Sequence, residues 1–142
     1  QGCGGTLISR QFVLTAAHCV VSGGKIRPSS IFSVTHGEHD YSITNATRVS
    51  ISEIIPHPKY IIDDDGNSHK KLSSPILFTQ NIGPVCLPAH TMGNHAGKDG
   101  VITGWGVTES GNVSPFLKEA NVTILTNKDC NEAFGATDRF IR

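Results

Sequence analysis

Short runs of alternating apolar and polar residues cover much of this chain, and Gly or Pro separates most of them. One clear run, residues 48–55, alternates with period two and stops at Pro56, which has no amide hydrogen to donate to a β-ladder. Similar runs predict further strands at residues 5–9, 12–15, 31–35, 101–103 and 117–125. Strands this short, with turns between them, favour an antiparallel barrel or sandwich.

One segment has the pattern of a helix start instead. Thr126 or Asn127 can serve as the N-cap, and Asp129 then lies in the first turn, where the helix dipole favours a carboxylate. We therefore predict a helix that begins near residue 126, in a chain that is otherwise built of strands.

Composition and charge narrow the possible partners. The chain has 142 residues and is 37% hydrophobic, which is enough for a domain with a core. Because 12 basic residues balance 12 acidic ones, no charged field favours nucleic acid or an anionic membrane. No apolar run approaches the roughly 18 residues of a membrane helix. No signal-peptide pattern opens the chain, so we expect its natural start to lie elsewhere.

Four cysteines bear on the compartment of the protein. They form no CxxC pair and none is followed by metal-spaced histidines, so neither a zinc site nor another cofactor is predicted. Cys3 and Cys19 each flank an apolar run, and two antiparallel strands would bring them together. A disulfide formed outside the cell is favoured over buried free thiols. Cys86 and Cys130 pair either with each other or with cysteines outside this chain.

Several segments, taken in order, resemble the chymotrypsin-like (trypsin-type) serine endopeptidases. TAAHC alone is a moderate signal, but an upstream cysteine, PVCLP and TGWG in the same order make the resemblance specific, and it extends almost from end to end. The segments are CGGTLISRQFVLTAAHC at 3–19, GEHD at 37–40, IIPHPKY at 54–60, LSSPILFTQNIGPVCLP at 72–88, ITGWG at 102–106 and LKEANVTILTNKDC at 117–130.

The resemblance implies an all-β fold of two antiparallel Greek-key barrels with the active site between them. Residues 1–84 would form most of the first barrel, and residues 85–142 the connection and the first part of the second. His18 would be the general base that takes a proton from a nucleophilic serine, held at a strand end by the Cys3–Cys19 bridge. The alternative is a histidine with a structural role only.

The chain departs from the family where the catalytic aspartate is expected. The family has an apolar strand headed by that aspartate, whereas residues 63–76 are DDDGNSHKKLSSPI. An ungapped alignment places Gly66 at the position of the catalytic aspartate, but a deletion of about one strand explains the sequence better. Asp65 is then a weak stand-in, and a solvated turn cluster is the simpler interpretation. We expect the polar segment NSHKK not to replace the strand, which would leave two unpaired edges and a marginally stable chain.

The second departure is at the end of the chain, where the serine motif GDSGG is not among the 142 residues. The second barrel is therefore expected to be truncated and the chain inactive alone. By the same resemblance, Cys130 would pair with a downstream cysteine and Cys86 would tether an upstream segment, so both are expected to be unpaired here. Polypeptide substrates or protease inhibitors are the expected partners of the complete protein. A non-catalytic homologue that acts as a binding module is the alternative.

Asn45 and Asn112 head glycosylation sequons in predicted loops and are candidate acceptors, whereas Asn121 heads a sequon in a predicted strand. These sequons and the disulfide predict a secreted, extracellular protein.

A metal site is not expected in the segment HGEHD. His36 and His39 alone are too few ligands, and Glu38 has no acidic partner at the place where related trypsins hold calcium. Trp105, between two glycines, is expected to pack at a strand end.

Overall fold

The computed structural model describes residues 2–42, 46–57, 67–89 and 95–134. Within these ranges the chain forms antiparallel strands, an α-helix and two 3₁₀ turns. The strands are β1 (Thr6–Leu7), β2 (Phe12–Ala16), β3 (Val21–Ser22), β4 (Lys25–Ile26), β5 (Ser33–Thr35), β6 (Arg48–Pro56), β7 (Asn67–Leu72), β8 (Asp99–Gly104) and β9 (Lys118–Thr123). The helix is α1 (Asn127–Phe134), and the 3₁₀ turns are Ala17–Cys19 and Ser29–Ile31.

The chain divides into two compact units. The first comprises Gln1–Glu38 and Asn45–Leu87, and the second comprises His39–Thr44 and Pro88–Arg142. In the first unit, five strands form one sheet in the order β1-β2-β7-β6-β5, and β3 and β4 form a separate hairpin. In the second unit, β8 and β9 pair with each other. Every pairing is antiparallel, as the short alternating runs predict.

The polar segment NSHKK does form a strand, and the expectation that it could not is wrong. β7 lies between β2 and β6 and pairs with both, so these strands are not left with unpaired edges along it. The reason is that a β-ladder is built from backbone amides and carbonyls, which every residue here supplies whatever its side chain. The hydrogen bonds that β7 makes with the strands on both sides outweigh the low β-propensity of Asn, Ser and Lys.

A small apolar cluster lies against this sheet. Val13, Ile51, Leu72 and Ile76 are buried together, and each comes from a different stretch of the chain. Partly buried apolar side chains surround them: Leu7, Phe32, Val34, Val49, Ile54 and Ile82. β6 follows its predicted alternation except at a register shift between Ile51 and Glu53.

Lys70 is the unusual member of this interior. It lies on β7 two residues before the buried Leu72, so it points to the same side of the sheet and is only 8% exposed. Its Nζ lies 5.1 Å from the centroid of the Phe32 ring, a cation–π distance. Burial lowers the pKa of the Lys70 ammonium below the ordinary lysine value. The strand therefore places a charged group where the family resemblance predicts an apolar one.

The second unit shows the predicted helix start. The amide of Asp129 donates to Thr126 Oγ1 at 3.1 Å, and Thr126 Oγ1 donates to Asp129 Oδ2 at 2.7 Å. Thr126 is thus the N-cap, which confirms one of the two residues predicted for that place. Trp105 is half-buried at the end of β8, and its indole Nε1 donates to the carbonyl of His39 at 3.1 Å.

Replacing Lys70 with methionine should stabilise the chain. Lys70→Met keeps a long unbranched side chain and removes the cost of burying an ammonium group. We expect the free energy of unfolding in urea to rise by on the order of 1 kcal/mol, the size of a typical single substitution. Lys71→Met, on the more exposed side of β7, is the matched control and should change it by less than about 0.5 kcal/mol. A destabilised Lys70→Met chain would contradict the burial of Lys70.

The same group gives the stability a pH dependence of known sign. Because the pKa of Lys70 is lower in the folded chain, the unfolded chain binds more protons between that value and the ordinary lysine pKa. The free energy of unfolding should therefore rise with pH across this window, and below it the destabilisation is fully present. Urea titrations at stepped pH should show this rise in the parent chain, and a smaller one in Lys70→Met. Identical slopes would contradict the assignment.

Candidate active site

His18 lies on a short turn at the end of a buried strand. In β2 the side chains of Val13 and Thr15 are buried, and the chain then tightens into the 3₁₀ turn Ala17–Cys19. The amide of Val20 closes the turn by donating to the carbonyl of Ala17 at 2.9 Å. Ala17 and Val20 are both 0% exposed, whereas His18 is exposed. Two buried side chains thus hold the backbone in place while the imidazole faces solvent.

Two links fasten the start of the chain to this turn. Cys3 and Cys19 form a disulfide, with their Cα atoms 6.1 Å apart. Next to it, the hydroxyl of Thr15 donates to the carbonyl of Gly4 at 2.7 Å, and Thr15 is buried. The hydrogen bond and the disulfide act on neighbouring residues. The segment that carries Cys3 is therefore held against β2 by more than the covalent bridge.

The His18 side chain and the disulfide lie close together. A nitrogen of His18 and the sulfurs of Cys3 and Cys19 all lie within 4.8 Å of one another. Among the described residues this is the group of three His, Cys, Asp or Glu side chains that has the spacing to hold a metal ion. As a disulfide, however, the two sulfurs are not thiolates and do not act as zinc ligands.

The serine motif GDSGG of a catalytic triad is not among the 142 residues. Asp65 lies outside the described residues, so its role stays a prediction. β7 begins beside the strand that leads into this turn, because its first residue, Asn67, pairs with Ala16, two positions before His18. Sequence reasoning missed this because NSHKK has neither apolar alternation nor strand-forming residues.

The two histidines of the segment HGEHD, His36 and His39, lie in different environments. Among the described residues, His36 Nδ1 is buried and has no hydrogen-bond partner, and the backbone amide of His36 donates to the carbonyl of Thr47 at 3.3 Å. In the second unit, the ring of His39 lies 5.9 Å from that of Phe116. Asp40 Oδ1 accepts hydrogen bonds from the hydroxyl and the amide of Ser42, which lower the pKa of Asp40. Within the described residues, His36 thus belongs to the first unit, and His39 and Asp40 belong to the second.

The remaining candidate residues lie at the surface or near it. Cys86 is an exposed free thiol, and Cys130 in α1 is a half-buried one. Asn112 is exposed in a turn in which the amide of Thr108 donates to its carbonyl at 2.9 Å, and Asn121 is exposed on β9. Asn45 lies outside the described residues. None of the described helices is long and apolar enough to cross a membrane.

Comparison with known proteins shows which family the chain resembles. A family model described as Trypsin matches residues 1–142. Venom serine protease 34 of Apis mellifera is 37% identical over 145 residues, which is 94% of this chain and 35% of that protein. Trypsin-1 of Astacus astacus is 32% identical over 143 residues, covering 97% of this chain and 59% of its own length.

A third relative gives the same picture. Serine protease SP24D of Anopheles gambiae is 33% identical over 140 residues, covering 98% of this chain and 50% of the relative. The chain thus spans about a third to three-fifths of the length of these curated relatives. The resemblance predicted from the sequence is confirmed, and with it a trypsin-type antiparallel β fold that is present in part.

Removing the Cys3–Cys19 disulfide should lower the free energy of unfolding, because the bridge closes a loop of the chain. Replacing Cys3 and Cys19 together with serine should lower the free energy of unfolding by about 3 kcal/mol, the value for a closed loop of about 15 residues. Cys86→Ser, at an exposed free thiol, is the control and should change it by less than about 0.5 kcal/mol. Urea denaturation followed by circular dichroism measures both, and equal effects would contradict a stabilising role for the bridge.

Proposed function

The chain belongs to the trypsin family of serine endopeptidases, and on that premise we propose that it is part of a secreted peptide-bond hydrolase with His18 as general base. The observation that carries the proposal is the placement of His18. Its side chain is exposed, while the turn beneath it is fixed by the buried Ala17 and Val20 and by the Cys3–Cys19 bridge. A general base needs this combination of an accessible ring and a rigid support.

The chemistry assigned to His18 is proton transfer. A serine hydroxyl becomes an effective nucleophile when a base removes its proton as it attacks the carbonyl carbon. An imidazole titrates near neutral pH, so it can take that proton and later return it to the leaving amine. A carboxylate that accepts a hydrogen bond from the second ring nitrogen fixes the tautomer. We propose Asp65 as the stand-in for that carboxylate, since it lies two residues before β7 in the sequence.

We propose that the 142 residues alone do not hydrolyse peptides. The serine motif GDSGG is not among them, and without nucleophile and oxyanion hole little rate enhancement remains. Residues 1–84 then supply most of one barrel with the base, and residues 85–142 supply the connection and the start of the second barrel. The complete protein would act on polypeptide substrates outside the cell and meet protease inhibitors there. Asn45 and Asn112 are its proposed glycan acceptors.

The two remaining cysteines fit a longer protein. Cys86 is exposed and free, so it is available to a disulfide-linked upstream segment. Cys130 is free on α1, and its proposed partner is a cysteine downstream in the complete protein. Neither nucleic acid nor membrane is a proposed partner, because the charge is balanced at 12 and 12.

One observation favours a second function, that of a non-catalytic binding module. β7 lies between β2 and β6, so a strand is present where a deletion was expected, and the ungapped alignment, in which Gly66 occupies the aspartate position, needs no deletion. A glycine there supplies no carboxylate, so the triad would be incomplete even with a serine present. Such a chain would use its barrel surface to engage a protease or inhibitor.

Substitution of His18 in the complete protein separates the two functions. His18→Ala should lower kcat for peptide hydrolysis by roughly 10⁴- to 10⁶-fold, as loss of a triad member does elsewhere. His39→Gln, which changes an exposed histidine of the second unit, is the matched control and should leave kcat unchanged.

Labelling gives a second readout. A serine-directed phosphonate should label the complete protein and not the 142-residue chain. An unmodified complete protein that neither hydrolyses peptides nor reacts with the phosphonate would refute the proposed catalysis and support the binding module. Labelling of the 142-residue chain would contradict its proposed inactivity.

A further inference from the structure

We propose that the Cys3–Cys19 disulfide masks a zinc site. When a dithiol reduces the bridge, the two cysteine thiolates and the imidazole of His18 bind one Zn²⁺. This inference goes beyond the proposed hydrolysis and does not need the chain to be catalytic.

The ligand atoms are already gathered in the oxidised chain. One nitrogen of His18 and both cysteine sulfurs lie within 4.8 Å of one another. A tetrahedral Zn²⁺ with Zn–S bonds of about 2.3 Å holds two sulfurs about 3.8 Å apart. The sulfurs therefore have to separate only from bonding distance to that spacing. Cys3 and His18 are exposed and Cys19 is half-buried, so both a reductant and the ion can reach the group.

The surrounding contacts keep the ligands together once the bridge is open. Thr15 Oγ1 donates to the carbonyl of Gly4, the residue after Cys3, at 2.7 Å. β1 pairs with β2 through Thr6 and Leu14, which adds a second link between the same segment and β2. The turn that carries His18 and Cys19 is closed by its own backbone bond, independently of the disulfide. Pre-placed ligands lose less conformational entropy when they bind a metal.

The chemistry balances with two reactants from solution. A dithiol supplies two electrons and two protons, the bond between Cys3 Sγ and Cys19 Sγ breaks, and the dithiol becomes a disulfide. Zn²⁺ then displaces one proton from each thiol and accepts a lone pair from the neutral His18 imidazole. Two thiolates neutralise the ion, and water takes the fourth position.

Metal binding would have one consequence that rests on the proposed function. A lone pair of His18 that is bound to Zn²⁺ is not available to accept a proton from serine. Reduction in the presence of zinc would then silence the base, and oxidation would release the metal.

The test uses the 142-residue chain with Cys86→Ser and Cys130→Ser, so that Cys3 and Cys19 are the remaining thiols. The chain is reduced under anaerobic conditions with a phosphine, which is itself free of thiols, and titrated with Co²⁺. We expect a thiolate-to-cobalt charge-transfer band that saturates at one ion per chain and is lost when Zn²⁺ is added. The oxidised chain should show no band.

Two histidine variants decide whether the site is the one proposed. His18→Ala should weaken Zn²⁺ binding to the reduced chain by at least about 100-fold, whereas the control His39→Ala should stay within about twofold; loss of an outer partner alone costs roughly 10- to 100-fold. Competition with a chromophoric chelator measures both. Equal affinities of parent and His18→Ala would overturn the proposal, and so would a reduced chain without the band. A chain that unfolds on reduction gives one of these two results.

Discussion

The pairing of β7 with β2 on one side and β6 on the other holds the first unit together. Without β7, the strand that leads to His18 and the long strand β6 would each present an unpaired row of amides and carbonyls. With it, five strands form one sheet, and Leu72 at the end of β7 closes the apolar cluster. A fully buried leucine of this kind contributes about 1.5–3 kcal/mol.

The residues of β7 are mostly polar, although the strand lies between two others in the sheet. Lys70 faces the interior, and its aliphatic stem packs while its ammonium lies over the Phe32 ring. Hydrogen bonding along the ladder and the burial of Leu72 offset this cost. The chain therefore keeps the layout of a trypsin-type sheet although one central strand is polar. The same strand brings Asn67 beside Ala16, so its pairing also determines what stands next to the His18 turn.

The sequence predicted those parts of the fold that have a local signal. Alternation located β2, β6, β8 and β9, and the Thr126 hydroxyl with Asp129 located the start of α1. β7 has no such signal, because its place is decided by two strands distant in sequence, and propensity gives way to tertiary pairing. In the site, the motif identified His18 and its bridge. The short distance between the His18 ring and the two sulfurs depends on the 3₁₀ turn, so the amino-acid sequence alone does not predict it.

Amide hydrogen exchange tests most directly whether β7 is the central strand. If it is, the amides of Lys70, Lys71 and Leu72 should exchange as slowly as those of Val13 and Ile51, because all of them open only with the sheet. Exchange of the β7 amides at the rate of an unstructured peptide, with Val13 and Ile51 still protected, would contradict the account.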